Sequence, residues 1–478
     1  MNRKWVGIWM LVSLFVGAGG MYIGIQWIQG DSQEETYVKN NSSSFNDSED
    51  LAKVRHAFNL IAHNYVEEIE EEVLVEGAIQ GMLATLEDPY SVYMDAETAR
   101  QFNETLKSSF EGIGTEVSMK DGKMVIIAPF KNSPAEKAGI KPNDQIVKVD
   151  GKSLEGMDLM DATLMIKGEK GTKVKLEIIR EGRKEPLIIE VVRDKISQVT
   201  VHSKVKKMNG NRIGYVQITS FSEETAKEFK KQLSVLEEKG LDGLVLDVRG
   251  NPGGLLDSVE EILKELVTKQ KPLYQIEERS GKKTRYFSAL EQKKEYPIAV
   301  LTDGGSASAS EILAGALKEA GNYPIIGEKT FGKGTVQQPV PMGDGSNIKL
   351  TLFKWLTPNG NWIHHTGVEP TVEVKQPAIF NTHPIQSKET LKQDMNSEHV
   401  KNAQQILAGV GYEPGREDGY FDAQTVIAVK AFQRQNKLEA NGMIDKRTAA
   451  ALEEAAREEM KREEKDAQLQ HALRLLAK

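Results

Sequence analysis

Residues 244–267, LVLDVRGNPGGLLDSVEEILKELV, decide the class of fold. The apolar run 244–248 reads as a core strand. Asp247-Val248-Arg249-Gly250-Asn251-Pro252-Gly253-Gly254 reads as the turn at its end, and 255–267 as a helix. The alternation continues on both sides. Strands fit 213–218, 298–301, 325–326 and 348–356, and helices fit 223–238 and 310–320. Strands and helices alternating from about 213 to 374 predict an α/β layered core.

Upstream of this core, 110–193 reads as strands and turns. Val125-Ile126-Ile127 is a short apolar run, and Asp121-Gly122 and Asp150-Gly151 are hairpin signals. Ser133-Pro134-Ala135-Glu136-Lys137-Ala138-Gly139 reads as a short capped helix ending at its glycine. Earlier still, over 51–109, Val54, Phe58, Ile61, Ala62 and Tyr65, then Val73, Val75, Ile79, Met82, Leu83 and Leu86, recur at helical spacing. They predict two amphipathic helices closed by Asp88-Pro89. Helices outside a main core often pack against a second copy, so a homodimer through this region is expected.

The stretch 31–50 is polar and rich in Ser and Asn, as a spacer would be. Residues 5–25 carry no charge and suffice to cross a bilayer as a helix. Arg3 and Lys4 precede them; Asp31, Glu34 and Glu35 follow. The positive-inside rule then gives a single-pass membrane anchor within 1–30, with the bulk of the chain outside the cytoplasm. A cleaved signal, releasing a secreted protein, is the competing reading, because Gly17-Ala18-Gly19-Gly20 is small; no A-x-A site follows the apolar run. At the other end, 376–397 reads as a polar linker and 398–453 as a compact helical unit. Residues 454–478 read as a charged, solvated helix with no active role.

A chain of 478 residues, 39% hydrophobic and 28% charged, is expected to hold three or four domains with real cores. A net charge of -8 with no long basic run argues against a nucleic-acid partner. The absence of cysteine excludes thiolate catalysis, disulfides and Cys-ligated metals. No H-E-x-x-H or comparable spacing occurs either, so neither metal nor cofactor is expected.

Three pieces of the α/β segment carry chemistry. Ser306-Ala307-Ser308-Ala309-Ser310-Glu311 lies between a strand and a helix. A tight turn there exposes a hydroxyl, and a helix N-terminus offers N–H groups to an oxyanion. Plain helix capping by serine is the alternative reading. Thr330-Phe331-Gly332-Lys333-Gly334-Thr335-Val336-Gln337-Gln338 sets a lysine between two glycines. Lysine acts as a base only when neutral, which an apolar wall would favour, with Phe331 and Val336 as the expected wall. Phosphate binding is the alternative, but the P-loop spacing is not met. The glycine pair Gly253-Gly254 can turn an N–H into the site, or make a simple strand-to-helix turn. A Ser-His-Asp triad through His364 or His365 ranks behind these, since neither has a carboxylate partner in the local sequence.

Together these residues resemble the carboxyl-terminal processing (tail-specific) serine peptidases, in order over about 51–370. The match includes Asp88-Pro89-Tyr90-Ser91-Val92-Tyr93-Met94, Phe110-Glu111-Gly112-Ile113-Gly114 and Ile213-Gly214-Tyr215-Val216. It continues through the glycine-pair, serine and lysine segments to Thr357-Pro358-Asn359-Gly360 and Gly367-Val368-Glu369-Pro370. The resemblance implies Ser308 as nucleophile, Lys333 as base, Gln337 orienting that base, and the N–H groups of Gly254 and Ala309 as the oxyanion hole. It implies a multidomain α/β chain: an α/β Ser-Lys peptidase core over 194–375, with an inserted β-rich PDZ domain with two helices over 110–193. That domain would bind substrate tails through Gly112-Ile113-Gly114, with Lys167 where the family usually has arginine. A solvated surface lysine is the other reading of Lys167. Residues 398–453 resemble a three-helix peptidoglycan-binding module, carried by Gly411-Tyr412-Glu413-Pro414-Gly415, Asp418-Gly419-Tyr420-Phe421 and Asn441-Gly442. Anchor, PDZ, Ser-Lys core and wall module together look most like the Gram-positive CtpB-type enzymes. That group implies a homodimer and a part in signalling such as spore formation. The expectation is therefore an extracytoplasmic endopeptidase that recognises protein tails and binds peptidoglycan. The alternative is a non-catalytic scaffold linking wall and tails.

Overall fold

The computed structural model describes residues 49–478, apart from 121, 131, 158, 181, 182, 184, 386 and 388. The anchor and nearly all of the spacer lie outside the described residues. No described helix is long and apolar enough to cross a membrane.

The core sheet has six strands in the order Val201–Met208, Asn211–Ile218, Gly243–Asp247, Ile298–Thr302, Ile325–Gly327, Val372–Glu373. The first pair is antiparallel and the rest are parallel. Gly243–Asp247 and Ile298–Thr302 are buried at every residue, as parallel strands covered on both faces must be. One face carries the helices Thr225–Glu238, Leu256–Lys264 and Ala309–Glu319, whose Leu233, Ile262 and Leu313 pack against Leu244, Leu246 and Val300.

The opposite face corrects the reading of the C-terminal tail as a solvated helix. Ala467–Leu476 presents Leu469, Ala472, Leu473 and Leu476 to Tyr215, Val245, Ala299, Leu301 and Ile326. Each buried leucine of this kind contributes about 1.5–3 kcal/mol. The charged residues that dominate the composition of this region lie mostly before the helix.

A second, antiparallel sheet is built on the long strand Asn347–Leu356. Val92–Met94, Tyr274–Glu278 and Thr335–Pro341 all pair with it. The N-terminal region is thereby stitched to the segment that follows Lys333. The helices Glu49–Asn64 and Glu71–Ala84 fall where the apolar spacing predicted them, and a third, Ala96–Leu106, was not foreseen. Val54, Ile61, Tyr65, Val73, Val75 and Met82 are exposed in this chain.

Residues 110–193 form a unit with its own core, including Ile126, Ile146, Leu176 and Ile178. Its five principal strands are joined by the helices Pro134–Lys137 and Leu159–Ile166. Ser109–Gly112 pairs with Asp194–Ser197 to make a two-stranded stem at its base.

Glu398–Gly409, Ala423–Gln435 and Lys446–Met460 form the C-terminal three-helix module around Leu407, Phe421, Val429, Phe432 and Leu452. The stretch 376–397 is not a loose linker. Ile379, Ile385 and Leu391 are buried in the module core, and Leu391 and Ile444 exchange both backbone hydrogen bonds. Its isolated apolar residues lacked a period, which is why it read as polar connection.

Candidate active site

The strand Ile298–Thr302 ends at the serine run, and the helix Ala309–Glu319 starts directly after Ser308. Ser306 and Ser310 are buried, and their hydroxyls donate to Val248 O and Asn251 O, each at 2.8 Å. Ser308 alone of the three reaches solvent. Its backbone is held at φ 53°, ψ −113°, a strained conformation for a residue with a Cβ and one that clusters at active sites. Plain capping requires no such strain.

The strain is held by Glu311, a wholly buried carboxylate (0% exposed). Its Oε2 accepts from the Ser308 N–H at 2.9 Å and from the Lys333 N–H at 2.8 Å. Its Oε1 accepts from the Gly332 N–H at 2.7 Å and from Thr330 Oγ1 at 2.6 Å. One oxygen atom therefore joins the backbones of the serine and lysine segments. Burial pushes the Glu311 carboxyl upward, and the four donors oppose that shift. Glu311 was missed as a site residue, although Ser308-Ala309-Ser310-Glu311 has the S-x-x-E spacing of a capping box.

Lys333 is also 0% exposed. Burial above all, then the positive charge of Lys349, holds its amine well below the ordinary lysine value; Asp88 and Glu311 act the other way. The wall around it is not the expected one. Phe331 is 49% exposed, so it cannot dehydrate the amine. Tyr90 does so, with the Lys333 Nζ lying 4.7 Å from its ring centroid. The Trp355 Nε1–H donates to Lys333 O at 2.8 Å and fixes the backbone. Val336 is buried in the hydrophobic core.

Gln337 is buried beyond a register shift between Val336 and Gln337, the kind of bulge that re-aims a side chain. Its Nε2 donates to Thr335 Oγ1 and Thr351 Oγ1, both at 2.9 Å. The Thr351 N–H donates to Ser91 Oγ at 3.0 Å, and Ser91 Oγ donates to Asp88 at 2.6 Å. Lys349, two residues before Thr351, is buried with its Nζ 5.2 Å from the Phe102 ring centroid. Burial lowers its amine to about 8, against the pull of Asp88. Tyr90, Asp88 and Lys349 were not legible as site residues, because strand pairing between 92–94 and 347–349 brings them there.

Gly253 lies against the serine turn, and Gly254 against the backbone of Phe221. A Cβ on Gly253 would come within 2.9 Å of Ser308 Cβ and 3.1 Å of Ala309 N. At Gly254, φ +142°, a Cβ would come within 2.0 Å of Phe221 O, so only glycine fits. Among the described residues, no acceptor meets the N–H of Gly254 or of Ala309. The Ala309 N–H lies at the Ser308 turn, and Gly254 follows the glycine that touches that turn.

His364 faces the same region, but its Nδ1 accepts from the Gly334 N–H at 3.3 Å. A triad would need that nitrogen to donate to a carboxylate. The described residues contain no cluster of three metal-ligating side chains.

The expected tail-binding residues form a second, separate group. Gly112 and Ile113 are buried, and Gly114 has φ +77° with Ser133 so close that a Cβ would meet it at 2.6 Å. Lys167 follows the helix Leu159–Ile166, with its Nζ 5.5 Å from the Phe110 ring centroid and its Cα against Gly112. It is half-buried beside the glycine loop, not a freely solvated surface lysine.

Four stretches of the chain match known family models. Residues 212–374 match the model of peptidase family S41, 112–191 a PDZ domain, 396–452 a peptidoglycan binding domain, and 14–98 the activating protease CtpB N-terminal domain. The chain is 54% identical over 477 residues to the carboxy-terminal processing protease CtpB of Bacillus subtilis (strain 168), covering 100% of this chain and 99% of that one. It is 43% identical over 437 residues to the carboxy-terminal processing protease CtpA of the same organism, covering 91% and 92%. Among solved structures, a photosystem II D1 C-terminal processing protease matches at 28% identity with a TM-score of 0.43, covering 69% of this chain and 94% of that one.

Proposed function

The chain belongs to peptidase family S41, as a carboxy-terminal processing serine peptidase with a PDZ domain, and from that premise we propose that Ser308, Lys333 and Gln337 perform its hydrolysis. The neutral Lys333 amine takes the Ser308 proton as Oγ attacks the peptide carbonyl. The N–H groups of Gly254 and Ala309 hold the oxyanion. As the tetrahedral intermediate collapses, the lysine ammonium returns its proton to the leaving amine. Water then attacks the acyl-enzyme, with Lys333 again the base. Gln337 does not titrate. With its Nε2 committed to Thr335 and Thr351, its carbonyl oxygen serves to direct the amine. The observation that carries this reading is the single Glu311 oxygen accepting from both Ser308 N and Lys333 N.

Tail recognition goes to the loop Gly112-Ile113-Gly114, whose N–H groups take a terminal carboxylate while the peptide adds as a strand, with Lys167 beside it. The C-terminal module binds peptidoglycan, in keeping with its family match. The uncharged segment 5–25 anchors the chain, and the enzyme works outside the cytoplasm. The exposed apolar residues of Glu49–Asn64 and Glu71–Ala84 support a homodimer through those helices. Regulated cleavage in signalling, spore formation included, is the biological role; it rests on kinship alone.

Purified protein lacking residues 1–30 should degrade casein, and Ser308→Ala should not, at unchanged circular dichroism. Equal activity of the two proteins would defeat the assignment of the nucleophile. A wild type with no activity on casein or on any tailed peptide would favour the non-catalytic scaffold.

The pH profile gives a separate check. Lys333 must be neutral to act, so kcat/KM rises with pH through its pKa. The charge on Lys349 helps keep that pKa low, whereas the facing carboxylates Asp88 and Glu311 raise it. Lys349→Met should therefore move the acidic limb to higher pH, with a loss of up to about tenfold at neutral pH for a shift of one unit. Lys349→Arg should move it less.

A further inference from the structure

Arg249 opens the glycine loop that carries Gly254, and its guanidinium is fully used. Its Nε and Nη2 donate to the Asp247 carboxylate at 2.9 and 2.6 Å. Its Nη1 and Nη2 donate to Asp466 at 2.9 and 2.8 Å, and Nη1 also donates to Gln468 Oε1 at 3.0 Å. A guanidinium has five N–H groups. Three of them are thus taken by the C-terminal segment, more than 200 residues away in the chain.

The Asp466 carboxylate is itself fixed. It accepts from Gln376 Nε2 at 2.7 Å and, as the N-cap of Ala467–Leu476, from the Leu469 N–H at 2.9 Å. Burial pushes its carboxyl upward, but Arg249, then the Leu469 N–H and Gln376, outweigh that and hold it below the ordinary value. Glu463, just before it, pairs with Lys204 and Lys206 on the edge strand of the core sheet. The helix Lys446–Met460 of the C-terminal module ends only a short step earlier.

The rest of the glycine loop is held from the opposite side. Asn251 O accepts from the Ala307 N–H at 3.0 Å and from Ser310 Oγ at 2.8 Å, and Asn251 Oδ1 accepts from the Gly253 N–H at 2.9 Å. The serine turn therefore grips one end of the loop and Asp466 grips the other through Arg249.

We infer that Asp466 is a positioning residue for the oxyanion loop, so that the segment following the wall-binding module is a working part of the peptidase. The inference rests on the assignment of Gly254 as an oxyanion donor. A bidentate carboxylate holds a guanidinium in one plane. Without Asp466, Arg249 keeps Asp247 and one bond to Gln468 but loses the second carboxylate that fixes its plane, and the loop start is left to the Gly250 N–H bond to Asp303 Oδ1 at 2.8 Å. The loss then falls on transition-state binding and not on the hold on the substrate tail.

The test uses the protein lacking residues 1–30 and a synthetic tailed peptide. Asp466→Asn should lower kcat about ten- to a hundredfold, short of the loss on deleting an oxyanion donor outright, with KM changed less than twofold. Asp466→Glu should recover much of it. Asp466→Asn should add nothing to Arg249→Met, since both cut one chain of contacts. Leu476→Ala, which loosens the same helix on the sheet, should lower Tm yet keep kcat at temperatures well below it. Should Asp466→Asn fail to fold, Gln376→Ala, which removes only a donor orienting Asp466, should give a smaller loss in kcat in the same direction. Wild-type kcat in Asp466→Asn, or a loss that merely tracks the unfolded fraction as in Leu476→Ala, would overturn the inference while Ser308→Ala stays inactive. Activity surviving Ser308→Ala would instead remove the premise.

Discussion

Lys333→Ala should lower kcat for a tailed peptide by about 10⁶-fold, the scale on which loss of a catalytic base is felt in serine hydrolases. The fold should survive it. The amine is wholly buried, and its burial disfavours the charged form, so deleting it removes a desolvation cost along with the packing of its stem. Initial rates and thermal melts on the same preparation separate the two effects. Near-normal turnover would assign the base elsewhere. Lys333→Arg should be as inactive as Lys333→Ala, because guanidinium does not become neutral at working pH.

Glu311→Ala should be the most damaging change outside the reacting groups, and it should hurt stability and rate together. The carboxylate accepts from Ser308 N, Gly332 N, Lys333 N and Thr330 Oγ1, all in a site closed to water. Alanine leaves those donors without a partner, at about 1–3 kcal/mol for each that finds none. A net loss of about 3–5 kcal/mol follows if water partly replaces them. The strained backbone of Ser308 then relaxes, and kcat should fall at least about a hundredfold. Glu311→Gln keeps the shape but turns one oxygen into a donor. Whichever way the amide faces, it loses one of the two donor pairs. It should fall between wild type and alanine in both urea midpoint and kcat. Wild-type turnover in Glu311→Ala would show that the serine and lysine segments hold their places unaided.

The α/β alternation and the three chemical segments could be read directly, because each is local. The strand at 244–248, the serine turn before a helix and the lysine between glycines are all short-range patterns. What escaped the reading depends on contacts distant in sequence. The expected wall of the Lys333 pocket was Phe331 with Val336, neighbours in the chain, yet Phe331 is half exposed and the ring against the amine is that of Tyr90, delivered by pairing of Val92–Met94 with Asn347–Leu356. Lys349 enters the same pocket by the same pairing. The C-terminal helix had a visible apolar row, Leu469, Leu473 and Leu476 at spacings of four and three. The density of charge before it hid that row, and only the bare face of the core sheet explains what the row is for. Glu311 was visible as the last residue of a capping box, but three of its four donors come from a loop more than 18 residues on.

A neutral amine at Lys333 is the feature from which the proposed hydrolysis follows. The direct measurement is a titration of the Lys333 Nζ by nuclear magnetic resonance in Ser308→Ala protein labelled at lysine, with the signal assigned by its absence in Lys333→Arg. A transition midpoint well below the ordinary lysine value is the expected result. An amine that stays protonated up to about pH 10 would contradict the mechanism.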